Sequence, residues 1–64
     1  MEPFNRKLHK FLLENGYKHT ENVRYDRYDK GKITIFYYLN NYIMILEEGE
    51  PASKEITYEI MEHV

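Results

Sequence analysis

The sequence predicts a small α+β domain with an N-terminal helix, a three-stranded antiparallel sheet and a C-terminal helix. Apolar residues near the N-terminus recur at spacings of three and four, which is typical of an amphipathic helix. The middle of the chain is rich in β-branched and aromatic residues, and its last twelve residues place their acidic side chains on one helical face. With 64 residues, the chain is long enough for one domain, so residues 1–64 are assigned to a single unit.

The first helix is predicted over residues 3–15. Its apolar stripe consists of Phe4, Leu8, Phe11 and Leu12. Pro3 suits the first turn of a helix, where its missing N–H leaves no hydrogen bond unmade. Gly16 follows the last residue of the stripe and can adopt the left-handed conformation that often ends a helix.

Three strands are predicted at residues 17–28, 33–39 and 42–47. The first alternates weakly, whereas the second is a dense run of β-branched and aromatic residues and is the clearest strand signal. Residues 29–31 are expected to form a three-residue hairpin loop with a glycine at its end. Residues 40–41 are two asparagines and are expected to form a two-residue turn, because Asn tolerates the left-handed region.

The last segment, residues 53–64, fits two periods. As a helix it has an apolar stripe opposite Glu55, Glu59 and Glu62, and Ser53 is its expected N-cap. As a strand it also alternates between apolar and polar residues, so a fourth strand remains the alternative. The single charged face and the cap favour the helix.

These loop lengths determine which side chains share a face of the predicted sheet. The predicted core face collects Val23, Tyr25, Ile33, Ile35, Tyr37, Leu39, Tyr42, Met44 and Leu46. The other face has Phe36, Tyr38, Ile43 and Ile45 at its centre, with Asn22 and Arg24 at its rim. A solvated sheet face is normally polar, and an apolar centre with a polar rim is typical of an interface. These six residues are therefore the predicted partner-binding site.

The predicted function is that of a non-enzymatic binding protein, an adaptor or inhibitor, that acts through this second face. Its partner is expected to be another protein or a second copy of the chain, because a self-complementary patch closes with twofold symmetry. The alternative is a single-stranded nucleic-acid-binding module, in which Phe36 and Tyr38 stack on bases beside Arg24. The basic side chains assigned to phosphate contacts in that alternative are Arg6, Lys7, Lys10 and Lys18.

Neither a metal site, a cofactor nor a catalytic centre is predicted. The chain has no cysteine, and no two of its histidines, His9, His19 and His63, have the spacing of paired ligands on a helix. No hydroxyl nucleophile stands in a recognisable motif with a base. Three glycines are too dispersed to form a phosphate-binding loop.

Charge and hydropathy indicate a cytoplasmic protein without a membrane span. The net charge is −2, with three more basic than acidic residues in 1–32 and five more acidic than basic residues in 33–64. This balance disfavours a generally basic nucleic-acid binder. No stretch approaches the ~20 apolar residues of a transmembrane helix, and the first residues lack a secretory pattern. Frequent Asn, Lys, Ile and Tyr codons are typical of an A/T-rich bacterial or phage genome.

The order of a helix, three antiparallel strands and a helix resembles the double-stranded-RNA-binding domain in length and layout. Residues 49–54 fall where that family has a loop that leads into a basic helix, which would imply RNA binding. Glu55, Glu59 and Glu62 would repel phosphate in that position. Small toxin ribonucleases of similar shape carry a Gly-Ser-His motif that this chain lacks. The sequence is therefore assigned to no family.

Overall fold

The computed structural model describes residues 2–64, which form a five-stranded antiparallel sheet with two helices on one of its faces. The strands follow one another in chain order across the sheet. The elements are α1 (Arg6–Glu14), β1 (Lys18–Glu21), β2 (Tyr25–Lys30), β3 (Ile33–Tyr38), β4 (Ile43–Glu47), β5 (Glu50–Pro51) and α2 (Lys54–Met61). The predicted α+β class is confirmed, and the predicted count of three strands is incomplete.

Helix α1 is confirmed but begins later than predicted. Its N-cap is Asn5, whose side-chain Oδ1 accepts a hydrogen bond of 2.9 Å from the backbone N–H of Leu8. Such a cap satisfies one of the donors left free in the first helical turn. Pro3 therefore precedes the helix. At the other end, Gly16 has a φ of 86°, the left-handed conformation expected of it.

Helix α2 confirms the helical interpretation of the C-terminal segment. The Oγ of Ser53 accepts a hydrogen bond of 3.3 Å from the N–H of Ile56, so Ser53 is the N-cap. Ile60 is fully buried against the sheet, whereas Glu55 and Glu59 are exposed. Among residues 2–64, neither helix has the length and hydrophobicity needed to cross a bilayer.

The predicted first strand is in fact two strands, β1 and β2, joined by a tight reversal. Asn22 makes this reversal, because its Oδ1 accepts from the N–H of Arg24 at 3.0 Å and its own N–H donates to the carbonyl of Tyr25 at 3.0 Å. β1 is an edge strand of mostly exposed polar side chains. It lacks the apolar residues by which a strand is recognised, which is why its sequence gave no separate signal.

The β2–β3 connection is a two-residue turn, so the prediction of a three-residue loop was wrong. β2 continues to Lys30, which pairs with Ile33, and only Gly31 and Lys32 lie between them. Gly31 has a φ of 55°, which glycine adopts without the steric strain of a side chain. As a result Tyr25 pairs with Tyr38 at the far end of the hairpin.

The β3–β4 connection is one residue longer than predicted. The N–H of Tyr38 donates to the carbonyl of Tyr42 at 2.8 Å, which leaves residues 39–41 as the loop. Asn41 has a φ of 70° and thus occupies the left-handed position of a three-residue hairpin loop. Its Oδ1 also accepts a hydrogen bond of 3.0 Å from the hydroxyl of Tyr37, which anchors the loop to the sheet.

In both hairpins the observed register differs from the predicted one by an odd number of residues. Such a shift moves every side chain of a strand to the other face. The predicted core is therefore right for β3 and wrong for its neighbours. The members that lie on the opposite face or in turns are Val23, Tyr25, Leu39, Tyr42, Met44 and Leu46. The buried apolar core consists of Leu8, Leu12, Tyr28, Ile35, Tyr37 and Ile60.

We expect Leu12→Ala to destabilise the domain by about 2–5 kcal/mol, because it leaves a cavity beneath α1. Leu12 is fully buried, whereas its neighbour Leu13 is 45% exposed. Leu13→Ala is the matched control and should change the free energy of unfolding by less than about 0.5 kcal/mol. Urea unfolding followed by circular dichroism measures both. Equal effects of the two substitutions would contradict the packing of α1 described above.

Candidate functional site

The sheet face opposite the two helices carries a group of half-buried apolar and aromatic side chains. The group consists of Tyr25, Phe36, Tyr38, Met44 and Leu46. They share a face because directly paired residues and alternate residues along a strand point the same way. Together with Arg27, Asp29 and Thr34, which lie on the same face, they form what we call the open face. A sheet face without a covering layer is normally polar, and this one is not.

Four aromatic rings form a continuous row along the open face and its end. The ring centroids of Phe36 and Tyr25 are 5.2 Å apart, those of Tyr25 and Tyr38 5.4 Å, and those of Tyr38 and Tyr42 5.7 Å. These separations are typical of favourable aromatic pairs. Tyr42 is 56% exposed at the end of the row. The row is therefore a preformed surface whose rings already support one another.

The charged residues of the open face form a closed pair. The guanidinium of Arg27 donates to both carboxylate oxygens of Asp29, from Nε at 2.9 Å and from Nη2 at 3.2 Å. The hydroxyl of Thr34 donates to the same carboxylate at 2.8 Å. The hydrogen bond from Arg27, more than that from Thr34, lowers the pKa of Asp29 below its usual value. Arg27 also lies 5.3 Å from the ring centroid of Phe36. The pair is consequently ionised and internally neutral at physiological pH.

The structure separates the six residues predicted to bind a partner into three groups. Phe36 and Tyr38 lie on the open face as expected. Ile43 and Ile45 lie on the opposite face, paired with Tyr37 and Ile35 and packed against the buried core beneath the helices. The prediction that they share a surface with Phe36 was therefore wrong, because the hairpin loop is one residue longer than assumed.

Asn22 and Arg24 lie in the turn between β1 and β2, at the end of the sheet where Tyr25 begins its strand. The carbonyl of Arg24 accepts a hydrogen bond of 2.9 Å from the N–H of Leu39, so the β1–β2 and β3–β4 turns are adjacent. Both Asn22 and Arg24 are exposed. The two residues therefore lie at one end of the open face.

The sequence analysis placed Tyr25, Met44 and Leu46 in the core, whereas the structure places them on the open face. The hydrophobic pattern could not separate the two registers, because β3 and β4 are apolar at nearly every position and either register yields a plausible core. The local signal that could have indicated the correct register was Gly31, because a glycine that tolerates positive φ also suits a two-residue hairpin turn.

The basic residues of the nucleic-acid alternative do not converge on the open face. Arg6, Lys7 and Lys10 are exposed on α1, which packs on the opposite face of the sheet, and Arg6 is paired with Glu2. Lys18 is the exception, because it pairs with Asp29 across β1 and β2 and therefore lies at the edge of the open face. The structure does not bring the three helix residues together with the aromatic row.

A second group of polar side chains lies between α1, β1 and β2 and consists of His9, His19, Asp26 and Tyr28, the histidine cluster. The rings of His9 and His19 meet edge-on with centroids 4.7 Å apart. The Nδ1 of His9 is 2.8 Å from the hydroxyl of Tyr28, which donates to it when the imidazole carries its proton on Nε2. Among residues 2–64, no group of three or more potential ligands is placed to hold a metal ion, and no pocket is present.

Asp26 is the centre of the histidine cluster. It is only 2% exposed, and its carboxylate accepts a hydrogen bond of 2.9 Å from the backbone N–H of Phe4. Its other oxygen lies 2.7 Å from Nε2 of His19, and this contact is an ion pair when the imidazole is protonated. One buried carboxylate therefore holds the N-terminal segment and the edge strand β1 against β2. The arrangement satisfies a buried polar group in the way that folded proteins require.

Two groups of the histidine cluster have shifted pKa values. Burial lowers the pKa of His9 below its ordinary value of 6.5, and the neighbouring charge of His19 lowers it further against the opposing effect of Asp26. Burial, and then the charge of Asp26, raises the pKa of the Tyr28 hydroxyl, which stays protonated.

We expect the free energy of unfolding to decrease as the pH falls below about 6.5, since the unfolded chain then takes up a proton on residue 9 more readily than the folded chain does. His9→Gln should reduce this decrease, and His63→Gln serves as the control. Urea unfolding at about pH 7.5 and about pH 5.5 measures the difference. A His9→Gln variant with an unchanged pH dependence would contradict this account.

Comparison with known proteins assigns no role to the open face or to the histidine cluster. No protein-family model, curated protein or solved structure significantly matches this chain.

Proposed function

We propose that this chain is a non-enzymatic, cytoplasmic binding protein, an adaptor or inhibitor, that contacts another protein through the open face. The observation that carries the proposal is the group of five half-buried apolar and aromatic side chains opposite both helices. Complete burial of a large apolar side chain contributes about 1.5–3 kcal/mol, and these side chains gain only part of it within the chain. A partner that covers them would supply the remainder.

The composition of the open face supports a protein partner. Tyr, Phe and Met are enriched at the centres of protein interfaces, and the open face contains all three types. The Arg27–Asp29 pair is internally neutral, so that covering it brings no unpaired charge into an interface. Polar residues at the margin, Lys18, Thr20 and Asn22, are exposed and can remain hydrated. This is the apolar centre and polar rim of a typical interface.

Met44→Lys is expected to abolish partner binding while the domain stays folded, because it places a charge at the centre of the open face. The measurement is capture from an extract of the native host on immobilised chain, followed by mass spectrometry. A specific partner should be retained by the unchanged chain and by Leu13→Lys. Leu13 is the control because it is 45% exposed on α1, in the other layer of the molecule.

The neighbouring position on the same strand distinguishes surface from core. Ile45 packs against the buried core, so Ile45→Ala should cost about 2 kcal/mol or more of stability. Met44→Lys should cost less than about 1 kcal/mol, because a Lys side chain at this half-buried site can extend its amine to water. If Met44→Lys unfolds the domain, or if its captured proteins equal those of the unchanged chain, the proposed binding surface is wrong.

Single-stranded nucleic acid is the second candidate ligand, and the aromatic row is the observation that favours it. Rings arranged at intervals on an open sheet can stack on unpaired bases. Ile43 and Ile45, aliphatic side chains that suit a protein better than bases, lie on the other face of the sheet. The charge distribution favours protein, because Arg27 is engaged by Asp29 and the basic residues of α1 lie in the other layer.

We therefore expect no change in the fluorescence anisotropy of labelled single-stranded DNA or RNA at low ionic strength, where phosphate contacts are strongest. The protein should be titrated well above the concentration used for partner binding. Binding that weakens steeply with salt and is lost in Tyr38→Leu, but is retained in Tyr58→Leu, would favour nucleic acid instead. Tyr58 is the control because it is 69% exposed on α2.

A further inference from the structure

The edge strand β1 contributes one partly buried side chain to the helix-covered face of the sheet, and that side chain can be protonated. Among residues 18–24, His19 is the only one that is not exposed to solvent. Segments with few buried side chains open locally at a lower free energy than the core of a domain. We propose that β1 is an acid-sensitive edge strand, which detaches from β2 when His9 and His19 are both protonated while the rest of the domain stays folded.

His19 contacts the three other members of the histidine cluster. Its Nε2 lies 2.7 Å from Oδ1 of Asp26, and its ring stacks on that of Tyr28 with centroids 4.9 Å apart. The ring of His9 meets it edge-on, with centroids 4.7 Å apart. One imidazole ring, whose charge depends on pH, therefore joins β1 to both β2 and α1.

The groups that face His9 come from both strands beneath this side of α1. β2 contributes the carboxylate of Asp26 and the hydroxyl of Tyr28, and β1 contributes His19 and, two residues along, the carboxylate of Glu21. Glu21 is exposed, so that water and salt screen its charge. The charges that alter the pKa of His9 are those of His19 and Asp26. Two imidazoles and one carboxylate therefore determine the charge balance of the cluster.

A second proton in the cluster meets a carboxylate that is already paired. One proton on His19 forms a neutral ion pair with Asp26. A further proton on His9 places two imidazolium rings 4.7 Å apart beside this single carboxylate, and like charges at such a distance repel. Among residues 2–64, Asp26 is the one buried acidic residue. On α1 itself, Arg6 lies one turn before His9 and is paired with Glu2.

The second proton also removes a hydrogen bond from the core. Nδ1 of His9 lies 2.8 Å from the hydroxyl of Tyr28, a residue that is 1% exposed. A protonated imidazole has no acceptor nitrogen, so the hydroxyl proton of Tyr28 loses this partner, and a buried donor without an acceptor is destabilising. Detachment of β1 relieves both effects, because it moves His19 away from His9 and admits water to Tyr28.

The direction of the pH dependence follows from His9. Burial, and then the charge of His19, lower its pKa below the ordinary value of 6.5. Detachment of β1 removes the second cause and weakens the first, so the open form binds the proton more readily than the closed form. The strand is consequently held closed above about pH 6.5 and is released progressively as the pH falls below that value. Its release exposes the backbone hydrogen-bonding edge of β2.

Amide hydrogen exchange followed by ¹⁵N NMR tests whether the opening is local. Protection from exchange, relative to the unfolded chain, should fall several-fold in the β1–β2 ladder between about pH 7.5 and about pH 5.5, up to the roughly tenfold limit for one group whose pKa is about 6.5 in the open form. At about pH 5.5, urea below the unfolding transition should leave exchange in this ladder nearly unchanged. The same urea should accelerate exchange in the β3–β4 ladder, because the urea dependence scales with the surface exposed on opening. Protection of the β1–β2 ladder that does not change with pH, or that depends on urea as the β3–β4 ladder does, overturns the inference.

Two substitutions test the cause of the opening. His9→Gln and His19→Gln each leave one imidazole in the cluster, so in either variant the pH effect on the β1–β2 ladder should shrink to less than about twofold. His63→Gln is the control, because it changes a ring that stacks on Phe11 outside the cluster, and it should keep the full effect. The ¹⁵N spectra show whether each variant is folded, and if one of the two fails to fold, the other decides. A folded His9→Gln or His19→Gln variant that keeps the full pH effect contradicts repulsion between the two rings and overturns the inference.

Discussion

The pairing of β3 with its two neighbours is the constraint on which the other features of this domain depend. Two residues with positive φ, Gly31 at 55° and Asn41 at 70°, determine the lengths of the two hairpin connections. Side chains alternate along a strand with a period of two, so one residue more or less in either turn exchanges the two faces of β2 or β4. Asn41 is held further by the hydroxyl of Tyr37, which links the turn to the core.

The two faces produced by this register have different physical roles. The covered face buries Tyr28, Ile35 and Tyr37 beneath both helices and also holds the carboxylate of Asp26. That carboxylate links the N-terminal segment to β1 and β2, so the histidine cluster belongs to the part of the molecule that stabilises the fold. The open face holds its charges in a neutral pair and exposes aromatic and aliphatic side chains, and it is the part that we propose to bind.

Small size explains why both roles occur in 64 residues. A chain of this length buries only roughly 60% of the surface that its unfolded form exposes, and two short helices cover one side of a sheet. The sheet face that the helices leave uncovered has to be polar, covered by a partner, or partly exposed to water. Here the apolar residues of the open face are half-buried by one another, with the aromatic row as their support. The proposed protein partner would complete their burial.

Local sequence signals were enough to predict the α+β class, helix α1 with its end at Gly16, and more apolar sheet surface than the helices cover. For residues 53–64 the Ser53 cap favoured a helix over a fourth strand without deciding between them. These features depend on local periodicity and capping, which are written in neighbouring residues. Strand pairing in the folded chain was needed to show that β1 is a separate strand. It was also needed to show that Ile43 and Ile45 belong to the core while Tyr25, Met44 and Leu46 belong to the open face. Because β3 and β4 are apolar on both faces, the conformations of two turns, rather than the hydrophobic pattern, select the register.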